Sequence, residues 1–560
     1  MRDNRKSDSE TAALQISLGV RLAWMVLILA TLCLCYFYNL SAIGLVGPDE
    51  PRYAWIARNM AETGDWVTPR LYGQPWFEKP ILYYWGAALS FRLFGVSEVA
   101  ARLPSAFAAL LGTLAMAWLA LRIYGASTAQ WLLLLLPTTV GMIGFSHAAA
   151  TDMPFTATLT IAMVCVAVIL GLAKNQHTPI LPRTPWLALL LFGFFLGLAV
   201  LAKGPAAIIL AGGAVIFWAL VTNRWRDAFR CLHPVAVASF CATALPWYIL
   251  CAHRNPDFFR VFIIEHNFKR YLTPEFQHIQ PFWFYIPILL IAFVPWTPLL
   301  VWSGFRGLID WQQNRQLSPF AIFLLGWAGF CVLFFSTSQS KLPGYILPAL
   351  PPIALLMASC YVRASNHPSK TFQWMQGGVG VTAILVAMVL WSHPFDCYRI
   401  TARTATGAGW VLSLLGIANL LLAIPVSKRF SGFLTSSMCV VPVLLVVLAF
   451  RPLAADFLPR DPSGRSLAAE VEKFQPTAEA LRVGVYVAAM SRGQQYSLSF
   501  YLHREIPDWE STHPTDSFVL LPSPPSATCS APIKPPWSCS RNAFELNSTG
   551  WFIYRVYRKN

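Results

Sequence analysis

Apolar stretches long enough to cross a bilayer recur along most of the chain, separated by short polar loops. Read with a window of about 19 residues, they place spans near 20–38, 103–121, 130–146, 153–172, 186–202, 205–221, 232–250, 283–301, 320–335, 343–361, 374–391, 409–426 and 433–450, roughly thirteen helices. This pattern predicts an α-helical polytopic membrane domain over residues 1–451. Beyond it the apolar runs stop and prolines accumulate, so 452–560 is expected to fold as a small water-soluble α/β domain. Within that domain Ser466–Phe474 has helical period, Arg482–Ala488 and Ser517–Leu521 read as strands, and Trp551–Tyr557 alternates.

The first long loop, 39–102, holds two segments with helical period that are expected to lie along the outer membrane face. One is capped by Asp49 and runs through Tyr53, Ile56 and Met60 to Gly64, with Arg52, Asn59 and Glu62 on its wet side. The other starts at Pro80 and continues through Tyr83, Tyr84 and Trp85 to Gly95. With Arg92 inside it and a length of about 15 residues, it is short for a span.

Composition agrees with the pattern: 56% of the 560 residues are hydrophobic and only 12% are charged, which excludes a soluble enzyme. The net charge of +16 has two sources. With the N-terminus (Arg2, Arg5, Lys6) in the cytoplasm as a retained signal-anchor, Arg122, Lys174, Arg183, Arg224, Arg226, Arg230, Arg306, Arg315, Arg363, Lys370, Lys428 and Arg429 all fall inside, and an odd span count sends the C-terminus out. This bias contacts membrane lipids; no nucleic-acid partner is expected. The surplus lies on the outer side, where Arg52, Arg58, Arg70, Lys79, Arg102, Lys203, Lys269, Arg270 and Lys341 exceed what orientation requires. Cations gathered on one cavity there would form a phosphate site. Most cysteines lie in or beside spans as small apolar fillers, and only Cys529 and Cys539 suggest a disulfide in the outer domain.

Candidate chemistry sits in the outer loops. Asp49 and Glu50 are adjacent acids where a helix N-terminus needs only one, although the macrodipole alone would favour them. Glu78-Lys79-Pro80 puts opposite charges at a proline-fixed helix start, which is either surface polarity or an oriented pair. Asp152 precedes the fourth span as an ordinary cap or a substrate contact. Lys203-Gly204-Pro205 breaks two spans, most simply as a turn, and turns a lysine outward. Glu265-His266-Asn267-Phe268-Lys269-Arg270-Tyr271 is dense enough in charge for phosphate or metal contact in an extracytoplasmic loop. Ser340-Lys341-Leu342-Pro343-Gly344-Tyr345 leads into the tenth span, where Lys341 either snorkels or binds. No Walker loop, dinucleotide fingerprint, HExxH or cysteine zinc spacing occurs.

In their order, Pro48-Asp49-Glu50-Pro51-Arg52-Tyr53, Glu78-Lys79-Pro80 with Leu82-Tyr83-Tyr84-Trp85, Thr151-Asp152, Lys203-Gly204-Pro205, Glu265-His266-Asn267-Phe268 and Ser340-Lys341-Leu342-Pro343 resemble the lipid A 4-amino-4-deoxy-L-arabinose transferases. That family belongs to the GT-C glycosyltransferases, which include the protein O-mannosyltransferases. The resemblance implies a bacterial inner-membrane enzyme that moves a sugar from undecaprenyl phosphate to lipid A at the periplasmic face, and so bears on lipopolysaccharide modification and polymyxin resistance. It implies Asp49, Glu50 and Asp152 as catalytic acids, and Lys79, Arg270, Lys203, Lys341, Arg52 and Tyr345 as ligands of the donor phosphate. Glu78 and His266 would share one divalent metal, zinc or magnesium, or form a salt-bridged pair pinning the two outer loops together.

Another sugar or a protein acceptor remains open within the same chemistry. A transporter of lipid-linked sugars is the reading from a different class. Transporters place ionisable residues at mid-bilayer and show internal repeats. Here the spans carry almost no charge and the acids gather at one face, which favours the enzyme.

Overall fold

The computed structural model describes residues 2–173, 185–273, 279–314, 316–366, 439–448, 463–474, 484–514, 516–521, 537–539, 544–546 and 551–558, with scattered positions between 377 and 417. The three expected spans after residue 370 lie largely outside the described residues, as does Cys529. Among the described residues seven helices are long and apolar enough to cross a membrane, and nine if each of two bent pairs is one span.

The helices follow in order as α1 (Arg2–Tyr36), α2 (Asp49–Thr63), α3 (Leu82–Phe94), α4 (Glu98–Tyr124), α5 (Ala126–Leu135), α6 (Val140–Ser146), α7 (Asp152–Ile169), α8 (Trp186–Lys203) and α9 (Ala206–Thr222). They continue with α10 (Trp225–Ala228), α11 (Pro234–Arg254), α12 (Arg270–Leu272), α13 (Tyr285–Ala292), α14 (Thr297–Asn314), α15 (Pro319–Thr337) and α16 (Leu350–Asn366). Helix α7 is the most enclosed of the spans and lies between α4 and α8. Small residues allow that: a Cβ at Gly112 would stand only 3.2 Å from the Ala157 Cα. Lipid offers apolar side chains no less than protein does, so close backbone approach supplies the packing energy inside a membrane.

Two spans expected to be continuous are broken. The 130–146 segment bends by 64° between α5 and α6, and the 283–301 segment by 117° between α13 and α14. A break exposes backbone groups that lipid cannot satisfy. The two breaks meet and answer each other: the Val140 amide donates to the Val294 carbonyl at 3.0 Å, and the Trp296 indole donates to the Thr138 hydroxyl at 2.9 Å.

Both juxtamembrane helices of the first loop are present, with Gly64 closing α2 in a left-handed conformation (φ 75°). Pro48, not Asp49, occupies the capping position, and no side chain caps the helix. Between α2 and α3 the chain makes a short antiparallel ribbon, β1 (Arg70–Leu71) with β2 (Gln74–Pro75), which had no periodic signal. The 260–272 segment is helical rather than a loop: a π-helix, Arg260–Lys269, runs into α12.

The C-terminal region has α17 (Arg465–Phe474), β3 (Val485–Val487), α18 (Arg492–Tyr501), β4 (Asp516–Leu521), β5 (Trp537–Cys539), β6 (Phe544–Leu546) and β7 (Trp551–Arg558). The sheet order is β3-β4-β7-β5 with β6 also on β7; β3 and β4 are parallel and the other pairs antiparallel. Helix α18 reads as polar in sequence and was not anticipated. It docks this region onto α2: the Arg58 guanidinium donates to the Phe500 carbonyl at 3.0 Å, and Tyr501 accepts from the Leu45 amide and donates to Glu98, each at 3.0 Å.

Backbone meets backbone at Gly493, where a Cβ would stand 2.9 Å from the Gly47 carbonyl oxygen, an atom that cannot swing aside. Gly493→Val is therefore expected to loosen the docking by about 1–3 kcal/mol, lowering the melting temperature and exposing the C-terminal sheet to limited proteolysis. An unchanged melting curve and protease pattern would refute the contact.

Candidate functional site

All six of the sequence motifs converge at one end of the helix bundle, and the charges they carry interlock. Arg52, one turn into α2, bonds Asp49 at 2.6 Å and Glu78 at 2.9 Å, while its guanidinium lies over the rings of Tyr53 and Trp76. It is largely buried, not on the wet side of the helix as its spacing suggested. The second oxygen of Glu78 accepts from Arg270 at 3.2 Å, tying the first loop to α12 across 192 residues. Asp152, the first residue of α7, bonds the Lys203 ammonium, which also lies 4.4 Å from the centre of the Tyr345 ring.

Lys79 joins the two groups electrostatically, feeling Arg270 and Glu78 on one side and Lys203 and Asp152 on the other. Burial above all, then the neighbouring Arg270, brings its ammonium down to about 8, while Glu78 and Asp152 work the other way. Glu78 shows the opposite balance. Burial would raise it, but Lys79, Arg52, Arg270 and His266 hold its carboxyl down at about 2. It is a permanent anion that keeps several cations close together.

Local backbone supports this arrangement. Gly204 turns the chain after Lys203 with φ 83°, a conformation that favours glycine. The Asn267 side chain closes over that turn, donating to the Phe262 carbonyl at 2.6 Å, and a Cβ on Gly204 would stand 3.2 Å from the Asn267 oxygen. Gly344 similarly lets its strap lie against Asp152, whose carboxyl carbon would stand 3.0 Å from an added Cβ.

Asp49 is the acid left open to solvent, with its side chain 52% exposed and one oxygen taken by Arg52. Asp49, Arg52, Glu78, Lys79, Arg270, Asp152, Lys203 and Tyr345 thus form one cluster, in which a phosphate and a sugar would find cations and carboxylates side by side.

Two expected members are committed to the scaffold instead. Glu50 does not share the cavity with Asp49. Its carboxylate is buried and receives two bonds from Arg102 (3.1 and 2.8 Å) and one each from the Val46 and Ala149 amides (3.0 and 2.7 Å). Arg102 then spends its remaining donors on the Leu40, Ile43 and Gly44 carbonyls at 2.6–2.9 Å. Nothing in the sequence distinguishes Glu50 from Asp49 except helical phase: 100° of rotation turns one inward and leaves the other out. Lys341 is also buried, its ammonium donating to the Gln280 and Ser338 carbonyls at 2.9 and 2.6 Å, so it neither snorkels nor faces the cluster.

A metal fits poorly. His266 lies within the electrostatic reach of Glu78, Lys79, Arg270 and Glu265, and burial lowers its pKa. Both oxygens of Glu78 face guanidinium groups, and no group of three His, Cys, Asp or Glu side chains suited to an ion occurs among the described residues. The loops are pinned by Glu78 with Arg270, and His266 acts on Glu78 from the same segment.

Comparison with known proteins follows the same lines. Residues 22–262 match the family described as dolichyl-phosphate-mannose-protein mannosyltransferase. The chain is 33% identical over 381 residues to the undecaprenyl phosphate-alpha-4-amino-4-deoxy-L-arabinose arabinosyl transferase of Edwardsiella ictaluri, covering 66% of each. To the Aeromonas salmonicida protein of the same name it is 32% identical over 426 residues, covering 74% of each. In fold it matches the crystal structure of ArnT from Cupriavidus metallidurans bound to undecaprenyl phosphate, with a TM-score of 0.75 at 24% identity, over 95% of this chain and 98% of that one.

The buried Glu50–Arg102 pair gives a direct check of role. Glu50→Gln leaves the Arg102 charge buried without its counter-ion, a loss of about 3–5 kcal/mol. Thermal unfolding of the purified variant should therefore fall sharply, whereas Asp49→Asn should melt like wild type. Equal melting of the two variants would return Glu50 to the open site.

Proposed function

The chain belongs to the undecaprenyl phosphate-alpha-4-amino-4-deoxy-L-arabinose arabinosyl transferases, and from that premise we propose that it moves this aminosugar from undecaprenyl phosphate to a lipid A phosphate at the periplasmic face of a bacterial inner membrane. It is a multi-pass membrane glycosyltransferase. Residues 1–451 form the catalytic membrane domain in this reading and 452–560 the periplasmic one, with the N-terminus in the cytoplasm.

The observation that carries the reading is the cation cluster held around Glu78 beside the open carboxylate of Asp49. In the transfer, an oxygen of the acceptor phosphate forms a bond to the anomeric carbon while the bond from that carbon to the donor phosphate breaks. Both electrons of that bond leave with undecaprenyl phosphate. The departing oxygen gains negative charge, and Lys79 and Arg270 are the groups suited to meet it with charge-assisted hydrogen bonds. Lys203, bridged to Asp152 and stacked on Tyr345, supports them from the next loop.

An acceptor phosphate is already an anion at neutral pH, so the reaction needs no strong base. That frees Asp49 to orient the acceptor or to stabilise positive charge growing at the anomeric carbon, with Asp152 beside the sugar's amino group. A protein hydroxyl acceptor would instead require deprotonation. The match to the protein mannosyltransferase family is the reason to test such an acceptor in parallel, and lipid A is favoured because the six motifs in their order resemble the lipid A aminoarabinose transferases. With Glu78 bonded to two arginines, no step is routed through a metal.

Asp49→Asn keeps the shape and removes the charge. Transfer to lipid A by the purified variant is expected to fall by two orders of magnitude or more, about 3 kcal/mol of transition-state stabilisation, with binding of undecaprenyl phosphate retained. Near-normal turnover would reduce Asp49 to the partner of Arg52.

The lowered Lys79 pKa sets a pH signature. Phosphate binding favours the ammonium, so affinity for undecaprenyl phosphate should be full below the resting value of about 8 and decline as pH rises through it. Lys79→Arg, which stays charged, should move that decline out of the range pH 7–10 in equilibrium binding measurements. An identical profile in the variant would remove Lys79 from the phosphate site.

A further inference from the structure

The end of the bundle remote from the carboxylates carries a second constellation that the transfer reaction does not use. Helices α8, α9 and α11 enclose a cavity of about 440 Å³ walled by Phe192, Leu196, Ile208, Val215, Leu232 and Phe240, within the size range of ligand pockets. It offers essentially no hydrogen-bonding group, so water gains nothing by entering. Gly212 keeps it open, since a Cβ there would meet no atom within 4 Å. Two of its walls, α8 and α11, are long and apolar enough to be membrane spans, and the turn 225–232 closes one end.

The mouth has a different character. The turn from Arg224 to Leu232 exposes Trp225, Phe229 and Leu232 (37%, 63% and 66%), the mixture of aromatic and aliphatic groups that settles at headgroup level. Interleaved with them are Arg224, Arg226 and Arg230. A single acid, Asp227, bonds Arg224 and Arg230, the latter at 3.1 Å, so three arginines face one carboxylate. Arg226 is exposed, and Arg230 keeps 57% of its side chain exposed. An apolar slot of this volume with a net positive rim at the bilayer boundary is complementary to one acyl chain below an anionic headgroup.

The donor lipid's phosphate does not meet this rim while engaged in catalysis, because α9 separates the Lys203 turn from Arg224. Its 17 residues rise about 25 Å. We propose that this groove binds one acyl chain of an anionic phospholipid, with the headgroup phosphate held by Arg226 and Arg230, as a site separate from the one for the undecaprenyl phosphate donor. The inference stands on the groove and its rim, independently of the sugar or the acceptor.

Two lipids with a photoactive diazirine at mid-chain, phosphatidylglycerol and phosphatidylcholine, would test it on the full-length protein reconstituted in phosphatidylcholine nanodiscs. Phosphatidylglycerol is expected to label peptides bearing Leu196, Ile208 or Phe240 at least fivefold more than phosphatidylcholine. The double variant R226Q/R230Q, altered only at exposed side chains, should erase that preference. Gly212→Leu, which fills open space, should abolish labelling by either lipid at those peptides. Equal labelling by the two lipids, a preference surviving in R226Q/R230Q, or stronger labelling of the same peptides by photoactive undecaprenyl phosphate would each overturn the assignment.

Discussion

Ionised groups withdrawn from water at the edge of a bilayer have to be paired, and the architecture of this protein's working end follows from that requirement. A carboxylate as enclosed as Glu78 survives as an anion only because Arg52 and Arg270 bond its two oxygens and Lys79 lies close by. The converse also holds: cations this crowded would repel one another without that anion among them. Pairing therefore does two things at once. It locks loops distant in sequence into one geometry, and it leaves a net positive surface where a lipid-borne phosphate would enter. Asp152 with Lys203 repeats the device one loop further on.

The scaffold beneath obeys the same rule with no charge left over. Glu50 and Arg102 neutralise each other, and their spare valences satisfy two amides and three carbonyls. These are the carbonyls of an irregular stretch after α1 that no helix or sheet could satisfy. One acid of the Asp-Glu dipeptide thus builds the floor and its neighbour stays available. Where two helical spans break, the same economy is met with backbone and indole donors instead.

Much of this was legible in advance. Most span positions up to residue 361, both juxtamembrane helices and strands β3, β4 and β7 follow from apolar periodicity, which the bilayer enforces strongly. Of the cations that orientation does not explain, Arg52, Lys79, Lys203 and Arg270 are brought together in one cluster by the fold, while Arg58, Arg102 and Lys341 are spent on carbonyls elsewhere. Periodicity could not reveal the bends at 136–139 and 293–296, because a broken helix is as apolar as a straight one. It could not separate Glu50 from Asp49, which differ only by how an adjoining helix presents them. Lys341 escaped for a related reason: its partners are main-chain carbonyls, and those leave no trace in side-chain identity. Helix α18 escaped because its buried apolar residues, Tyr496, Leu498 and Phe500, recur every second position rather than with helical period.

The docking of α18 on α2 also bears on how the molecule is made. Arg58 bonds a carbonyl 442 residues later in the chain, so α2, which packs early on α3 through Tyr53 with Tyr83 and Tyr84, gains its α18 partner only when nearly the whole polypeptide has been synthesised. Contacts of such long sequence separation form late in folding. The contacts that tie the helix bearing Asp49 to α18 therefore form only in a completed chain, and truncated products lack them. Assembly thus has a built-in order, with the α2–α18 contact made last.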